Sequence, residues 1–106
     1  MDRKEYLMYL KNFKKRLSKD IPMQKMYLFG SREKGNPHRW SDFDLIIVSK
    51  KFKNKNSFER AVGFHKYWTI DYPVDFLCYT PDEFNKLKKQ ATLVREAVKE
   101  GIKFWK

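Results

Sequence analysis

The segment spanning residues 29–48 constrains the fold of this chain more strongly than any other part of it. It contains a Gly-Ser turn, Gly30-Ser31, and a second glycine, Gly35. Glycine-rich turns of this kind can wrap backbone N–H groups around a phosphate group. An unbroken aliphatic run follows at residues 45–48, which is typical of a strand that is buried on both faces. The segment therefore predicts a phosphate-binding loop that leads into a strand of an α/β sheet.

Two aspartates, Asp42 and Asp44, stand at the start of this aliphatic run. Side chains alternate between the faces of a strand with a period of two, so both carboxylates point to the same face. Two carboxylates held so close repel each other unless a cation lies between them. Mg²⁺ prefers oxygen ligands and is commonly shared between carboxylates and the phosphates of a substrate. Together with the loop, the pair indicates metal-dependent nucleotide chemistry.

A third aspartate, Asp75, lies within a later apolar segment, Val74–Tyr79. The same alternation places Asp75 and Leu77 on one face of the predicted strand. A lone carboxylate among apolar side chains is costly to bury, so a metal ion is its simplest partner. Asp71 is the competing candidate, but it lies shortly before Pro73 and is more typical of a turn.

Helix signals occur along the whole chain. Near the N-terminus, apolar residues spaced by four, three and four predict one buried stripe of a helix over residues 2–19. The members of this stripe are Tyr6, Leu10, Phe13 and Leu17. A brief helix is expected at residues 31–36. A longer helix is expected at residues 57–68, where Asn56 and Glu59 form a capping box. A further helix is expected to begin at Pro81, after the N-cap residue Thr80. Gly101 is expected to close the last helix.

Strands are predicted at residues 26–29, 43–48 and 74–79, and the polar, basic stretch 49–56 is expected to be a mobile loop. The predicted fold class is α/β (α+β), with a small mixed sheet of three to four strands and helices packed on one side.

The size and the charge of the chain limit its function classes. At 106 residues and 13.0 kDa, residues 1–106 are expected to form one domain. No apolar segment resembles a signal peptide or a membrane span. The single cysteine, Cys78, permits no internal disulfide. A cytoplasmic protein without membrane contact is therefore expected. The net charge of +11 is compatible with three interpretations: a surface that binds nucleic acid, a surface that binds an acidic protein partner, or a solvated lysine-rich surface.

The ordered set of motifs resembles the minimal nucleotidyltransferases of the DNA polymerase β superfamily. The family signature is a Gly-Ser turn, a short basic stretch, a glycine, then Ser-Asp-x-Asp-Leu, with a third aspartate on a later strand. The matching residues are Gly30, Ser31, Gly35, Ser41, Asp42, Asp44, Leu45 and Asp75. Residues 93–105 also resemble the end of this family, so the resemblance runs from about residue 26 onward. It implies a polymerase β-like nucleotidyltransferase fold.

The resemblance also implies an enzyme that uses Mg²⁺ and transfers a nucleoside monophosphate, expected to be AMP from ATP, to a hydroxyl acceptor. It assigns two metal ions to Asp42, Asp44 and Asp75, which would be the catalytic and metal-binding residues, and it assigns activation of the attacking hydroxyl to Asp75. The residues expected to bind the nucleotide are Gly30, Ser31, Arg32, Lys34, Gly35 and Ser41.

Members of this family often act as antitoxins that adenylylate a tyrosine of a helical HEPN-type ribonuclease, so the resemblance implies a HEPN-type partner protein. Two alternatives stay open. Glu33 and Lys34 stand where the family has a small residue and an arginine, which leaves room for a non-catalytic module that neutralises its partner by contact. A nucleic-acid-binding domain is the other alternative and rests on charge. Phe104 and Trp105 are expected to form either a docking strand or an exposed contact patch. An exposed apolar contact with a partner, or in self-association, is expected to include residues 102–105.

Overall fold

The structure is a computed structural model that describes residues 2–29 and 43–105. Within these two stretches the chain forms four α-helices and four β-strands. In chain order they are α1 (Arg3–Leu17), β1 (Lys25–Phe29), β2 (Phe43–Val48), α2 (Ser57–Arg60), β3 (Val74–Tyr79), α3 (Pro81–Leu87), α4 (Leu93–Glu100) and β4 (Ile102–Lys103). None of these helices is long and apolar enough to cross a lipid bilayer.

The strands form one mixed sheet in the order β3-β2-β1-β4. The pair β2–β3 is parallel, whereas β1 runs antiparallel to both β2 and β4. The predicted α+β class and the mixed sheet of three to four strands are confirmed. The brief helix predicted at residues 31–36 lies outside the described residues.

Apolar side chains cover both faces of the sheet, and each face has its own helices. On one face, the predicted stripe of α1 packs against Met26 and Leu28 of β1. On the other face, α3 and α4 pack through Phe84 and Ala97 against alternate residues of the same strands. The structure thus differs from the prediction of helices on one side, because β2 is buried along its whole length and needs cover above and below.

Helix α1 forms as its sequence predicts. The Asp2 side chain accepts a hydrogen bond of 2.9 Å from the backbone N–H of Glu5, which caps the first turn. The buried residues of α1 are the four members of the predicted stripe, Tyr6, Leu10, Phe13 and Leu17. The helical period of the apolar residues is therefore sufficient to identify this element and the face that it buries.

The basic segment 49–56 is anchored to the fold at two points, where the sequence predicts a mobile loop. Ser49 is fully buried, and its hydroxyl donates a hydrogen bond of 2.5 Å to the carbonyl of Pro22. Phe52 is buried in the core within a 3₁₀ turn at Lys50–Phe52. A single aromatic side chain among lysines is thus enough to hold this segment against the core.

The helix predicted at residues 57–68 is confirmed only in its first turn. The capping box between Asn56 and Glu59 forms in both directions, yet α2 ends at Arg60. Gly63 then adopts φ 88°, a left-handed conformation that a helix cannot contain, and a 3₁₀ turn follows at Phe64–Lys66. The glycine therefore redirects the chain so that Phe64 enters the core.

The C-terminal segment pairs with the sheet, and the expectation of an exposed contact patch is wrong for Phe104, which is buried. Strand β4 pairs with β1, and the backbone N–H of Phe104 donates a 2.9 Å hydrogen bond to the carbonyl of Met26. The Phe104 side chain is 8% exposed, and the Trp105 ring lies 4.5 Å from that of Tyr27. The position before β4 requires glycine, because a Cβ atom on residue Gly101 would lie 2.6 Å from the carbonyl oxygen of Ala97.

Candidate active site

Two of the three predicted metal-binding aspartates lie side by side in the sheet. In the parallel pairing of β2 and β3, Asp44 is the register partner of Asp75. Neighbouring strands are about 4.8 Å apart, so the two residues are as close as different strands allow. The topology of the sheet thus brings together two carboxylates that are far apart in the sequence.

Both carboxylates lie on the face of the sheet that α3 and α4 cover. The side chain of Leu45 packs on the face that α1 covers, so its neighbour Asp44 points to the other face. Asp75 shares a face with Leu77, which packs on the side of α3 and α4. Asp44 is fully buried, including its Oδ2 atom, whereas Asp75 is exposed. The pair therefore runs from the interior of the sheet at Asp44 to the solvent at Asp75.

Strand β1 ends beside this pair. Phe29 is the last residue of β1 and is the register partner of Asp44, so the chain leaves β1 at the level of the aspartates. The other predicted site residues lie outside the described residues, and their roles stay predictions. They are Gly30, Ser31, Arg32, Lys34, Gly35, Ser41 and Asp42, together with Glu33.

An aromatic cluster fixes the backbone that precedes Asp75. The Nε1 atom of Trp68 donates a hydrogen bond of 2.8 Å to the carbonyl of Tyr72, and the ring of Tyr72 lies 5.9 Å from that of Phe43. The N–H of Phe43 also donates to the carbonyl of Pro73 at 3.2 Å. These contacts tie the start of β3 to the start of β2. The sequence analysis did not predict a role for Trp68. The signal that could have indicated it is the indole N–H, which needs a hydrogen-bond acceptor when the ring is buried.

The donor set of the pair fits a hard divalent cation. Both groups offer only carboxylate oxygens, which suit Mg²⁺, and a fully buried carboxylate such as Asp44 is costly without a nearby positive charge or donors. Residues 2–29 and 43–105 contain no group of three or more His, Cys, Asp or Glu side chains that could hold a metal ion. The described part therefore contains two of the three predicted ligands, and the third, Asp42, lies outside it.

A second polar cluster joins α2 to the N-terminus of α3 at the other end of β3. Arg60 forms two hydrogen bonds with Glu83, of 2.6 and 3.1 Å, and its Nη1 atom also donates to the carbonyl of Cys78 at 3.1 Å. The hydrogen bond raises the pKa of Arg60 and lowers that of Glu83. Burial raises the pKa of the Cys78 thiol to about 12, which keeps the thiol protonated. These contacts are structural.

This cluster borders a cleft of about 470 Å³ whose lining includes Lys50, Lys53, Arg60 and Asp82. The cleft lies where β2 and β3 end, and neither Asp44 nor Asp75 lines it. The cleft is thus separate from the aspartate pair.

Comparisons with known proteins concern the family and the fold of the chain. A family model described as a nucleotidyltransferase domain matches residues 10–104. The chain is similar to a solved structure from Sulfolobus solfataricus, a candidate nucleotidyltransferase, with 27% identity, a TM-score of 0.61 and coverage of 94% of this chain and 79% of that chain. A second solved candidate nucleotidyltransferase has 27% identity, a TM-score of 0.48 and coverage of 79% and 88%. Comparison with curated protein sequences finds no match.

Proposed function

The chain belongs to the nucleotidyltransferase domain family, and we propose that it transfers AMP from ATP to a hydroxyl group. The observation that carries this proposal is the pairing of Asp44 with Asp75 on one face of the sheet, beside the end of β1. The family match supports nucleotidyl transfer in general. The choice of ATP rests on the resemblance of the motifs to minimal nucleotidyltransferases.

In this proposal, Asp44 and Asp75 hold Mg²⁺ together with Asp42. When bound, the two metal ions that the resemblance implies stabilise the charge on the phosphate oxygens during an in-line displacement. The fully buried carboxylate of Asp44 is held in one place by the strands around it, so it serves as the fixed ligand. The residues proposed to bind the triphosphate are Gly30, Ser31, Arg32, Lys34, Gly35 and Ser41.

The exposed position of Asp75 gives it a second role. Its carboxylate lies at the solvent end of the pair, where an acceptor hydroxyl can approach. Asp75 is there to orient this hydroxyl and to accept its proton as the oxygen attacks the α-phosphorus, while the bond from the α-phosphorus to the bridging oxygen breaks and pyrophosphate leaves. In this proposal the buried Asp44 only holds metal, whereas the exposed Asp75 both holds metal and activates the acceptor.

We further propose that the acceptor is a tyrosine of a HEPN-type partner protein in a toxin–antitoxin pair. The support for this step is the resemblance of the ordered motifs to antitoxin-type members of the family. The alternative is a non-catalytic module that binds the same partner. Its support is that Glu33 and Lys34 stand where the family has a small residue and an arginine. The side-by-side aspartates favour the catalytic proposal, because contact alone does not require two adjacent carboxylates.

A transfer assay with α-labelled ATP tests the proposal. The chain is incubated with the product of the neighbouring gene, and label on protein is measured for the wild type, Asp75→Asn and Asp71→Asn. Asp71 provides a matched control because it is an exposed aspartate in the turn that precedes β3. Label that depends on Asp75 but not on Asp71 supports the proposal. Equal labelling by all three proteins would overturn the role given to Asp75.

A further inference from the structure

Three lysines converge on two aromatic rings at the end of the sheet that lies away from the aspartate pair. The Nζ atom of Lys25 lies 5.1 Å from the centre of the Phe84 ring and 5.7 Å from that of Trp105. Lys88 lies 6.0 Å from Phe84, and Lys103 lies 5.8 Å from Trp105. We refer to Lys25, Lys88 and Lys103 as the lysine cluster.

The fold assembles this cluster from three separate elements. Lys25 begins β1, Lys88 follows the last residue of α3, and Lys103 lies in β4. Lys103 is the register partner of Tyr27, which shares a face of β1 with Lys25. The rings of Phe84 and Tyr27 stack at 5.7 Å, which brings α3 onto this face. The cluster is therefore a product of the tertiary structure.

Among the described residues, no carboxylate neutralises the positive charge of the cluster. Within residues 2–29 and 43–105, none of the three ammonium groups forms an ion pair with a carboxylate. Burial, and then the charges of Lys88 and Lys103, lower the pKa of Lys25. Holding three like charges together costs free energy, and a bound anion would remove that cost.

The chemistry of the cluster fits phosphate groups. Lysine binds phosphate oxygens as a point charge, without the two-pronged geometry that arginine provides. The cluster also offers little exposed apolar surface, which the centre of a protein interface needs, because Phe84 is 1% exposed. The strongly exposed apolar residues, Met8, Phe58 and Val62, lie on or after other helices.

We propose that the lysine cluster binds the phosphate backbone of a nucleic acid without reading its bases. The lysine ammonium groups lie against the rings of Phe84 and Trp105, so these rings are not free to stack on bases. Contacts to phosphates alone position a protein on a nucleic acid but carry no sequence information. Binding is therefore independent of sequence and strongly dependent on salt.

This surface is separate from the aspartate pair. Lys25 is the register partner of Val48, whereas Phe29 at the other end of β1 is the partner of Asp44. At about 3.4 Å per residue, these positions are about 14 Å apart along the strand. The lysine cluster therefore shares no residue with the candidate active site, and the inference goes beyond the proposed transfer activity.

The test is a titration of a fluorescently labelled RNA duplex of mixed sequence, followed by anisotropy at several salt concentrations. The test variant combines Lys25→Gln, Lys88→Gln and Lys103→Gln. The control combines Lys11→Gln, Lys15→Gln and Lys19→Gln, which remove the same charge from exposed positions on or just after α1. Circular dichroism and the melting temperature establish that both variants fold.

We expect the cluster variant to lose affinity about tenfold or more, and its slope of log affinity against log salt to fall by about 2 to 3, since each phosphate contact contributes about 0.9. The control should retain most of the affinity. If the cluster variant does not fold, Lys103→Gln, at an exposed position, is compared with Lys11→Gln instead. Absence of binding by the wild type, equal losses in both variants, or cluster-dependent binding of polyglutamate in place of RNA would overturn the proposal.

Discussion

The two ends of the sheet are built on different principles. At one end, two aspartates lie at the starts of β2 and β3, where the strand pattern alone places each carboxylate on its face. At the other end, Lys25, Lys88 and Lys103 come from elements that are distant in sequence. Local patterns can therefore reveal the first site in the sequence, whereas only the packed structure reveals the second. Four experiments, taken from the largest expected effect to the smallest, can break or sharpen this comparison.

The aspartate end should carry the chemistry. Asp44→Asn and Asp75→Asn should each lower the rate of nucleotidyl transfer by at least about 100-fold, because each removes a negative ligand or the acceptor of a proton. The thermal stability of the metal-free protein should stay equal or rise, since the repulsion between the two carboxylates is relieved. Labelled-ATP transfer and thermal melting measure both effects. A large drop in melting temperature for both variants would make these aspartates structural.

The lysine end should depend on the core beneath it. Phe104→Ala should lower the free energy of unfolding by about 3 kcal/mol, because Phe104 is buried next to the strand that carries Lys103. Met8→Ala is the control: Met8 is 59% exposed, and its truncation should cost less than about 0.5 kcal/mol. Urea unfolding measures both values. Similar values for the two variants would mean that Phe104 contributes no core packing.

Nucleotide binding should depend on the aspartate end of the sheet and not on the lysine end. Mg²⁺ should raise the affinity for ATP about tenfold or more, because the carboxylates and the triphosphate otherwise repel each other. The combined Lys25, Lys88 and Lys103 variant should show the same gain. Calorimetry with ATP, with and without Mg²⁺, measures the gain in both proteins. A gain that vanishes in the lysine variant would place the triphosphate at the wrong end of the sheet.

The smallest effect concerns Glu83, a carboxylate next to the basic cleft. The Arg60 hydrogen bond lowers the pKa of Glu83, so this contact stabilises the fold above the ordinary glutamate pKa, and the stabilisation is lost as the pH falls through the lowered value. Glu83 is 43% exposed, so after allowance for solvent screening the contribution should stay below about 1 kcal/mol. Urea unfolding of the wild type and Glu83→Gln at pH 7 and about pH 3 should give a difference that shrinks in acid. A constant difference would mean that the charge is not involved.

The elements with strong periodic patterns could be predicted from the sequence, and those that depend on tertiary packing could not. The stripe of α1 identified its buried face correctly, and the alternation of β3 correctly divided its side chains between the two faces of the sheet. The positive φ of Gly63, which shortens the helix expected after Asn56, leaves no trace in the capping box that precedes it.

The candidate site shows the same division. Alternation placed Asp44 and Asp75 on defined faces of their strands, but the pairing of these strands depends on the sheet order. Strand β4 is too short to show a period, so Phe104 could be taken for a surface residue. The family resemblance is confirmed at the level of a nucleotidyltransferase domain, and the substrate, metal and partner stay predictions.

The position of β4 in the sheet has a consequence for the order of folding. Strand β1 comes early in the chain, but its outer edge is covered by β4. During synthesis, β1 must therefore wait for almost all of the described chain to leave the ribosome before this edge is paired and Phe104 fills its place. Such distant pairing slows folding, because a long loop must close before the contact stabilises the chain. Until then, the exposed edge of β1 is a site where nascent chains can aggregate.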